Sequence, residues 1–465
     1  MASRAFLFLF MLWCAETIQF STQQELPPTR LSSSDLAVLY DVGHSLRDQP
    51  GSDFFSTWRF DSPSAATDAC SSFTGVVCSP SDDNADLRVT SLTLGEGVAA
   101  SPGLAGTLPP SLANLTALSQ LVLTPGRVAG PIPEALGGSA LPALRLLSLS
   151  GNLLSGPIPA SFAAAGALPN LHTLDLGHNR LSGPVPDGLL AMPSLRVLVL
   201  AANGGLSGRI PPLAVPLLHL DLRGNNFTGS IPRPLPATLR YLSVSGNAMS
   251  GPLDALDAAF ADLTFLDLSM NAFFGPVPAA LFAPRRRPEE EVPPPLAVLL
   301  LQRNNLSDPI PAPSEPAAVS GWTVDLSHNR LTGSLPAGLA AAGSLFVNNN
   351  RLTGAVPSEF ARSVYAGSMT TLYAQHNYLT GFDSPLPLPG GNGPGADATP
   401  PLPDGVTVCL SYNCMVPPPV GPPGCPASSA DEGSRPPYQC PAFNNGTGTV
   451  VTGGGGDLSW DDPEP

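Results

Sequence analysis

The side chains best suited to chemistry recur at fixed places in a repeating pattern. Three histidines each stand one residue before an asparagine of the repeat: His178, His328 and His376. Four aspartates each stand between two core aliphatic residues of the same repeat: Asp175, Asp221, Asp267 and Asp325. Histidines could ligate a metal ion, and paired carboxylates roughly 5–10 Å apart could hydrolyse a glycosidic bond.

The spacing of the histidines argues against a metal site, and the aspartates have a simpler interpretation as ordinary strand residues. If each repeat adds one strand, His328 and His376 lie about 10 Å apart and His178 lies much further along the stack. The aspartates on alternate repeats would satisfy the glycosidase spacing, but Leu-Asp-Leu is also an ordinary filling of such a strand. The chain has no lysine, which excludes Schiff-base chemistry and the phosphate-loop lysine. We therefore expect no catalytic site, no metal site and no cofactor.

Composition limits the partners. Of 465 residues 43% are hydrophobic, enough to bury a core, while Gly 46 and Pro 56 indicate many turns. The formal net charge is -15, and basic patches are what nucleic acids and anionic membranes require. The composition predicts no nucleic-acid partner.

The N-terminus predicts export. Arg4 precedes an apolar run over residues 5–15, which is too short to span a membrane and is typical of a secretory signal, predicted at 1–21. No second apolar run of spanning length follows, so a secreted chain without a transmembrane segment is expected. Four Asn-x-Ser/Thr tripeptides predict glycosylation at Asn114, Asn226, Asn305 and Asn445.

A repeat organises the chain. Its register is Leu-x-x-Leu-x-Leu-x-x-Asn-x-Leu-x-Gly-x-Ile-Pro, seen best over residues 144–159. The asparagines in this register are Asn152, Asn179, Asn203, Asn225, Asn247, Asn271, Asn304, Asn329, Asn350 and Asn377, with a degenerate copy at Asn413. Most steps fall within the roughly 20–29 residues of one class of solenoid repeat. Two longer steps contain insertions, at 283–295 and 384–403, which we expect to be surface loops that leave the stack intact.

The pattern predicts a stacked structure. The alternating leucines form a short strand with apolar side chains inward, and neighbouring copies pair as parallel strands. The repeated asparagine is predicted to fold inward and satisfy buried backbone groups, one repeat after another. One repeat cannot bury its own leucines, whereas a stack of about twelve can.

Six cysteines remain after the signal: Cys70, Cys78, Cys409, Cys414, Cys425 and Cys440. A twelve-strand stack separates the first two from the others by more than about 50 Å, and a disulfide needs Cα atoms within about 7 Å. Cys70 should therefore pair with Cys78, while three pairings remain open for the other four. Upstream, Ser34-Asp35 followed by Leu36, Leu39, Tyr40 and Leu46 predicts an N-capped amphipathic helix over the first repeat.

These residues resemble a known family. The repeat of residues 144–159 resembles the plant-specific extracellular class of leucine-rich repeat. The head segment, with Asp35, Leu36, Leu39, Trp58 and Cys70…Phe73-x-Gly75-Val76-x-Cys78, resembles the N-terminal cap of plant receptor kinases and receptor-like proteins. The resemblance covers roughly residues 31–413. It implies a right-handed α/β leucine-rich repeat solenoid, a parallel sheet on its concave face, and disulfide-capped ends.

The concave face is the predicted binding surface, because each strand of a solenoid adds outward side chains to it. Aromatic and arginine residues are common interface anchors. The outward positions of the later repeats predict a ligand-binding stripe of Arg223, Tyr241, Phe265, Met270, Leu300, Gln302, Arg303, Phe346, Tyr373 and His376.

The expected organisation is a signal peptide (1–21), an N-terminal cap (22–86), a solenoid (87–383), the Pro/Gly-rich insertion (384–403), a degenerate repeat with a cysteine-containing cap (404–441) and a tail (442–465). The expected function is a secreted, non-enzymatic protein of the apoplast or cell wall. It would bind a peptide or protein, either alone or as a companion of receptor kinases at the plasma membrane. The alternatives are an inhibitor of pathogen polygalacturonases and a structural component of the cell wall.

Overall fold

The computed structural model describes residues 30–62, 64–81, 86–95, 103–256, 263–283, 296–382, 402–415, 425 and 433–440. The predicted signal, most of both insertions, the tail and Asn445 lie outside these ranges. None of the helices in the described ranges is both long and apolar enough to cross a membrane.

A long sheet, called here the main sheet, collects the leucine-bearing segments of the repeats. It has fourteen strands in the described ranges, and all neighbours are parallel except the first pair. In chain order the strands are Val76–Pro80, Leu87–Leu94, Gln120–Leu123, Leu146–Ser148, Thr173–Asp175, Val197–Val199, His219–Asp221, Tyr241–Ser243, Phe265–Asp267, Val298–Leu300, Thr323–Asp325, Ser344–Phe346, Thr371–Tyr373 and Thr407–Cys409.

A second sheet of ten strands takes seven of them, in the described ranges, from segments that follow a repeat asparagine. Its strands are Leu46–Asp48, Leu104–Thr107, Arg127–Gly130, Leu153–Gly156, Arg180–Pro184, Gly205–Arg209, Asn226–Gly229, Ala248–Gly251, Ala272–Gly275 and Asn305–Leu306. Further along, Thr353–Val356 pairs with Tyr378–Phe382.

Short helices return the chain from the second sheet to the main sheet. The α-helices are α1 (Ser33–Ser45), α2 (Ala65–Ser72) and α3 (Ser358–Tyr365). The 3₁₀ helices are Phe54–Thr57, Pro110–Asn114, Glu134–Leu136, Ala160–Ala163, Leu189–Ala191, Asp254–Leu256, Ala279–Phe282, Pro316–Val319, Ala337–Ala341 and Pro437–Gln439.

The core is one continuous column of leucines between the two sheets and the short helices. Leu174, Leu198 and Leu220 occupy equivalent places on adjacent main-sheet strands, and each is fully or almost fully buried. The pairing continues in register across both insertions, since Leu266 pairs with Leu299 and Leu372 with Val408. The insertions therefore interrupt the chain without interrupting the stack.

The repeated asparagines form the predicted ladder. The Asn179 side chain accepts a hydrogen bond from the Leu154 amide of the preceding repeat at 3.0 Å. Its Nδ2 donates to the carbonyls of Leu149, Leu176 and Gly177. One side chain thus satisfies buried backbone groups in two consecutive repeats, at a position where an unpaired polar group costs about 1–3 kcal/mol.

One step of the ladder is incomplete. Between Asn203 and Leu206 the chain has two glycines, where the other repeats have a single residue between the asparagine and the next core residue. The Leu206 amide is displaced by this extra residue. As a result Asn225 Oδ1 is buried without a hydrogen-bond partner among the described residues, although Asn225 Nδ2 still donates to the Leu200 and Leu222 carbonyls.

The N-terminal cap is attached by a buried carboxylate. Asp35 of α1 is fully buried and accepts hydrogen bonds from Arg88 Nε, from Arg88 Nη2 and from the Val89 amide at 2.8–3.0 Å. These contacts join the helix to the first parallel strand of the main sheet. A bidentate guanidinium and a backbone amide together satisfy the carboxylate, which a buried charge requires.

The predicted cap helix is present, but its boundaries and buried face differ from the expectation. Its N-cap is Ser32, whose side chain accepts from the Asp35 amide, and the predicted Ser34-Asp35 pair lies inside the helix. Leu39 is buried as expected, whereas Tyr40 is 47% exposed. Tyr40 instead packs its ring on His44 and Phe60. The buried face consists of Val38, Leu39 and Val42 together with Asp35, a polar residue that a hydrophobic pattern does not identify.

The disulfides lie at the two ends. Cys70 of α2 pairs with Cys78 of the first main-sheet strand. Of the three C-terminal pairings left open, the structure has Cys409–Cys425 and Cys414–Cys440. Beside them the Arg435 guanidinium lies over the rings of Tyr378 and Tyr412, 4.4 and 4.5 Å from their centroids. Arg435 Nε also donates to the Asn377 carbonyl. The Arg435 side chain thereby covers the last repeats.

The contribution of the asparagine ladder to stability can be tested with two asparagines that differ in one hydrogen bond. Asn247→Leu removes the acceptor of the Phe227 amide and the donor to the Leu222 and Val244 carbonyls. We expect this variant to lower the free energy of unfolding by about 2–3 kcal/mol, measured by chemical denaturation. Asn225→Leu should cost about 1 kcal/mol less, because its Oδ1 has no donor to lose. Equal losses would show that the amide contact contributes nothing.

The buried carboxylate of the cap gives a second test. Asp35→Ala leaves the Val89 amide and the Arg88 guanidinium without their acceptor, so we expect a loss of about 3 kcal/mol in unfolding free energy. Asp41→Ala on the exposed side of the same helix is the matched control and should change stability by less than about 0.5 kcal/mol. A small effect at Asp35 would mean that the cap is held by apolar packing alone.

Candidate functional site

Three rings form a stack on the outward side of the main sheet. His219, Tyr241 and Phe265 each open a strand and are register partners on three adjacent strands. The centroids of His219 and Tyr241 are 4.1 Å apart with planes at 7°, and those of Tyr241 and Phe265 are 4.4 Å apart with planes at 6°. We call these three residues the ring ladder. Because the rings cover one another's faces, mainly their edges remain available to a ligand.

A row of buried polar side chains lies beside the ring ladder. Asp221, Ser243 and Asp267 occupy the next outward position on the same strands and are 9% exposed or less. Asp267 accepts hydrogen bonds from the Ser269 hydroxyl at 2.6 Å and from the Ser269 amide at 3.0 Å. Asp221 accepts from the Arg223 amide, and the Arg223 guanidinium lies 3.5 Å from its other oxygen. These carboxylates are therefore engaged within the protein.

Burial shifts the titration of this region. Burial raises the pKa of Asp221 above that of an ordinary aspartate, although the hydrogen bond from the Arg223 amide acts to lower this pKa. It also raises the pKa of the Tyr241 hydroxyl. The His219 pKa is lowered by burial, although the Asp221 charge opposes the shift. A neutral His219 therefore stacks on a neutral Tyr241 near pH 7, and the ladder itself carries no charge.

The remaining predicted residues fall into separate places rather than one stripe. Arg223, Met270 and Arg303 are exposed at the end of the strands, whereas Leu300 and Gln302 are half-buried. Phe346 and Tyr373 contact each other edge to face at 5.3 Å, two positions further along their strands than the ring ladder. His376 packs against Tyr412 at the C-terminal end. Of the predicted residues, Tyr241 and Phe265 stack on each other, and Arg223 pairs with Asp221 of the preceding strand.

His219 was missed by the sequence analysis. It precedes the core residue Leu220 in the same register as Tyr241 and Phe265, so the repeat alignment contained the signal that could have found it. The buried state of Asp221 and Asp267 had no comparable signal, because outward positions of a strand are ordinarily exposed.

The three histidines of the repeat have a conformational role. His178, His328 and His376 each adopt a left-handed backbone conformation, with φ of 53–55°. Met270 and Arg303 occupy the same position with φ 54°. The chain must turn there to place the next asparagine inward, and such a φ is uncommon outside glycine and asparagine. In the described ranges no three His, Cys, Asp or Glu side chains are grouped as metal ligands.

The candidate glycosylation sites lie off the main sheet. Asn226 and Asn305 begin strands of the second sheet, and Asn114 ends a 3₁₀ helix. Asn114 and Asn226 are exposed, and Asn305 is half-buried. Sugars attached there would leave the ring ladder accessible.

The repeats match a known family. A family model described as Leucine Rich Repeat matches residues 143–165, 170–192, 216–237 and 322–341. Together with the stacked parallel strands, these matches decide the architecture. The chain is a leucine-rich repeat solenoid.

The solenoid is similar to plant receptor proteins. Receptor-like protein 35 of Arabidopsis thaliana is 32% identical over 157 residues, which cover 29% of this chain and 16% of that protein. The ectodomain of the Arabidopsis thaliana receptor kinase GASSHO1/SCHENGEN3, solved in complex with Casparian strip integrity factor 2, has a TM-score of 0.56 at 25% identity. That match covers 83% of this chain and 47% of the ectodomain. The chain thus spans less than half the length of either receptor.

A further similar structure has another role. A plant ice-binding protein matches with a TM-score of 0.50 and 26% identity, over 78% of this chain and 100% of its own.

The shifted His219 pKa gives a pH test. In the unfolded chain a histidine takes up a proton below about pH 6.5. Burial lowers the pKa in the fold, so the folded chain resists this proton and stability is lost as pH falls below about 6.5. His219→Phe keeps a stacked ring and removes the titration. We therefore expect the melting temperature of the wild type to fall more than that of His219→Phe between about pH 7.5 and 5.5. Parallel curves would contradict the proposed burial of His219.

Proposed function

We propose that the protein is an extracellular, non-enzymatic binding protein of the plant cell surface that captures a peptide or an extended protein segment on its main sheet. It would act in the apoplast or at the cell wall, alone or beside a receptor kinase. The observation that carries the proposal is the ring ladder, the group of stacked rings that His219, Tyr241 and Phe265 form on an outward sheet surface.

The chemistry of the ladder supports capture of a partner. Tyr241 and Phe265 are only half-buried in the free protein, so a partner would remove further apolar surface from water. The rings are held by stacking and by the strands beneath, which limits the entropy lost on binding. Their carboxylate neighbours Asp221 and Asp267 are already hydrogen-bonded, which gives them no evident role as reacting groups.

The similar plant proteins also support recognition of a partner. The receptor kinase ectodomain with this fold binds Casparian strip integrity factor 2, and Receptor-like protein 35 shares part of the repeat array. We extend only the class of activity, recognition of a partner by the solenoid, to the present chain.

The proposal predicts which aromatic residues matter. Peptides from apoplastic fluid would be passed over the immobilised protein and the retained peptides identified by mass spectrometry. Tyr241→Ala with Phe265→Ala should retain them at least about tenfold less, because aromatic anchors commonly contribute 2 kcal/mol or more. Lost stacking should cost only about 1–2 kcal/mol of stability, so the double variant remains folded.

Phe274→Ala is the matched control for this experiment. Phe274 is 46% exposed but lies in the second sheet, away from the ladder. It should retain the wild-type set of peptides. If the double variant retains the same set as the control, the ring ladder is not the binding surface.

A second candidate function comes from the similarity to the ice-binding protein, whose whole length is matched. The second sheet presents a column of small hydroxyl side chains on successive repeats, including Ser182, Thr228 and Ser250, all exposed. Regular rows of hydroxyls could order water at an ice surface. Thermal hysteresis of the purified protein tests this candidate, and growth of ice at the normal freezing point would remove it.

A further inference from the structure

A row of basic side chains leads from the earlier repeats up to the ring ladder, where Arg240 stands next to Tyr241. Arg145, His172, Arg196 and Arg240 each stand immediately before a main-sheet strand, with Leu218 interrupting the row. Backbone hydrogen bonds connect them in order: the His172 amide donates to Arg145, Arg196 to His172, Leu218 to Arg196 and Arg240 to Leu218. We call the four basic residues the basic row. Four strand intervals make it about 19 Å long.

The side chains of the basic row have no acidic partners in the described part of the chain. Arg145, His172 and Arg240 are exposed. Arg196 is half-buried, and its Nη1 donates to the carbonyls of Pro193 and Leu195, which holds the guanidinium in place. Arg88 and Arg223, by contrast, are each paired with an aspartate.

The carboxylates of this surface lie on the other side of the ladder and do not offset the row. Asp221 and Asp267 are buried and hydrogen-bonded. Asp175 is half-buried and accepts from the Gly177 amide and from the Ser148 hydroxyl. A ligand lying across the strands therefore meets unpaired positive charge along one border and satisfied carboxylates along the other.

The ring ladder also favours a negatively charged ligand. Stacked rings expose their edges, and the edge of an aromatic ring carries positive partial charge. Sugars pack on ring faces, which the ladder covers by stacking at 4.1 and 4.4 Å. These features fit a peptide with carboxylate side chains better than an acidic polysaccharide.

We propose that the ligand is an extended peptide with several acidic residues, whose carboxylates contact Arg145, Arg196 and Arg240 while its apolar residues contact the ring ladder. This inference rests on the proposed function and adds the charge of the ligand. About six extended residues span the basic row. The formal net charge of -15 repels polyanions in general, so selection depends on the local match of charges.

The first experiment is selection of a random peptide library displayed on phage against the wild-type protein. The inference predicts that clones requiring Tyr241 and Phe265 are enriched in Asp and Glu on one flank of an apolar segment. Clones that require these rings but show no acidic enrichment would overturn the inference and leave the proposed function standing. Failure to recover any ring-dependent clone would count against both.

The second experiment measures a selected peptide on charge variants. Arg145→Gln, Arg196→Gln and Arg240→Gln combined should weaken its binding at least about tenfold. The variant should remain folded, because Arg145 and Arg240 are exposed and half-buried Arg196 loses only the two hydrogen bonds of its Nη1. The matched control removes three exposed arginines of the second-sheet side, Arg180→Gln, Arg209→Gln and Arg330→Gln, and should change binding less than about threefold.

Equal losses in the two triple variants would assign the effect to net charge and overturn the inference. Oligogalacturonate serves as a competing probe. The wild type could bind this sugar acid while the Arg145/Arg196/Arg240 variant does not, with no acidic enrichment among the selected peptides. That result would assign the basic row to a polysaccharide and would also overturn the inference.

Discussion

The asparagine ladder is the interaction on which the rest of the structure depends. Each turn between the two sheets buries backbone groups that no strand can pair, and one side-chain amide satisfies them across two repeats. This contact places successive strands in register, so the outward residues of the repeats become rows. The ring ladder and the basic row both exist because the register is kept over many strands.

The ladder also explains why the solenoid tolerates irregularity. The extra glycine near Asn203 removes one acceptor contact and leaves Asn225 Oδ1 unpaired within the described residues, yet the strands on either side remain paired. Residues inserted between Phe282 and Leu296 likewise leave the pairing of Leu266 with Leu299 unchanged. Each repeat contacts mainly its neighbours, so a local defect is not transmitted along the stack.

The two borders of the main-sheet surface differ because of burial. Asp221 and Asp267 are the last residues of their strands, but they are buried and satisfied by hydrogen bonds from within the protein. Arg145 and Arg240 stand at the strand ends, where long side chains reach water. The repeats thus produce an engaged acidic row and an accessible basic row, and the basic row ends beside the neutral rings.

The sequence by itself determined the repeat, the inward leucines, the asparagine ladder and the Cys70–Cys78 pair, because these follow from periodicity and from the length of the stack. Only the tertiary structure decided the C-terminal disulfides, since three pairings satisfy the sequence equally well. It also decided that Asp35 is buried against Arg88 and that the outward-facing Asp221 and Asp267 are buried and hydrogen-bonded. Contacts of this kind depend on distances between side chains of different repeats, which one repeat's pattern does not contain.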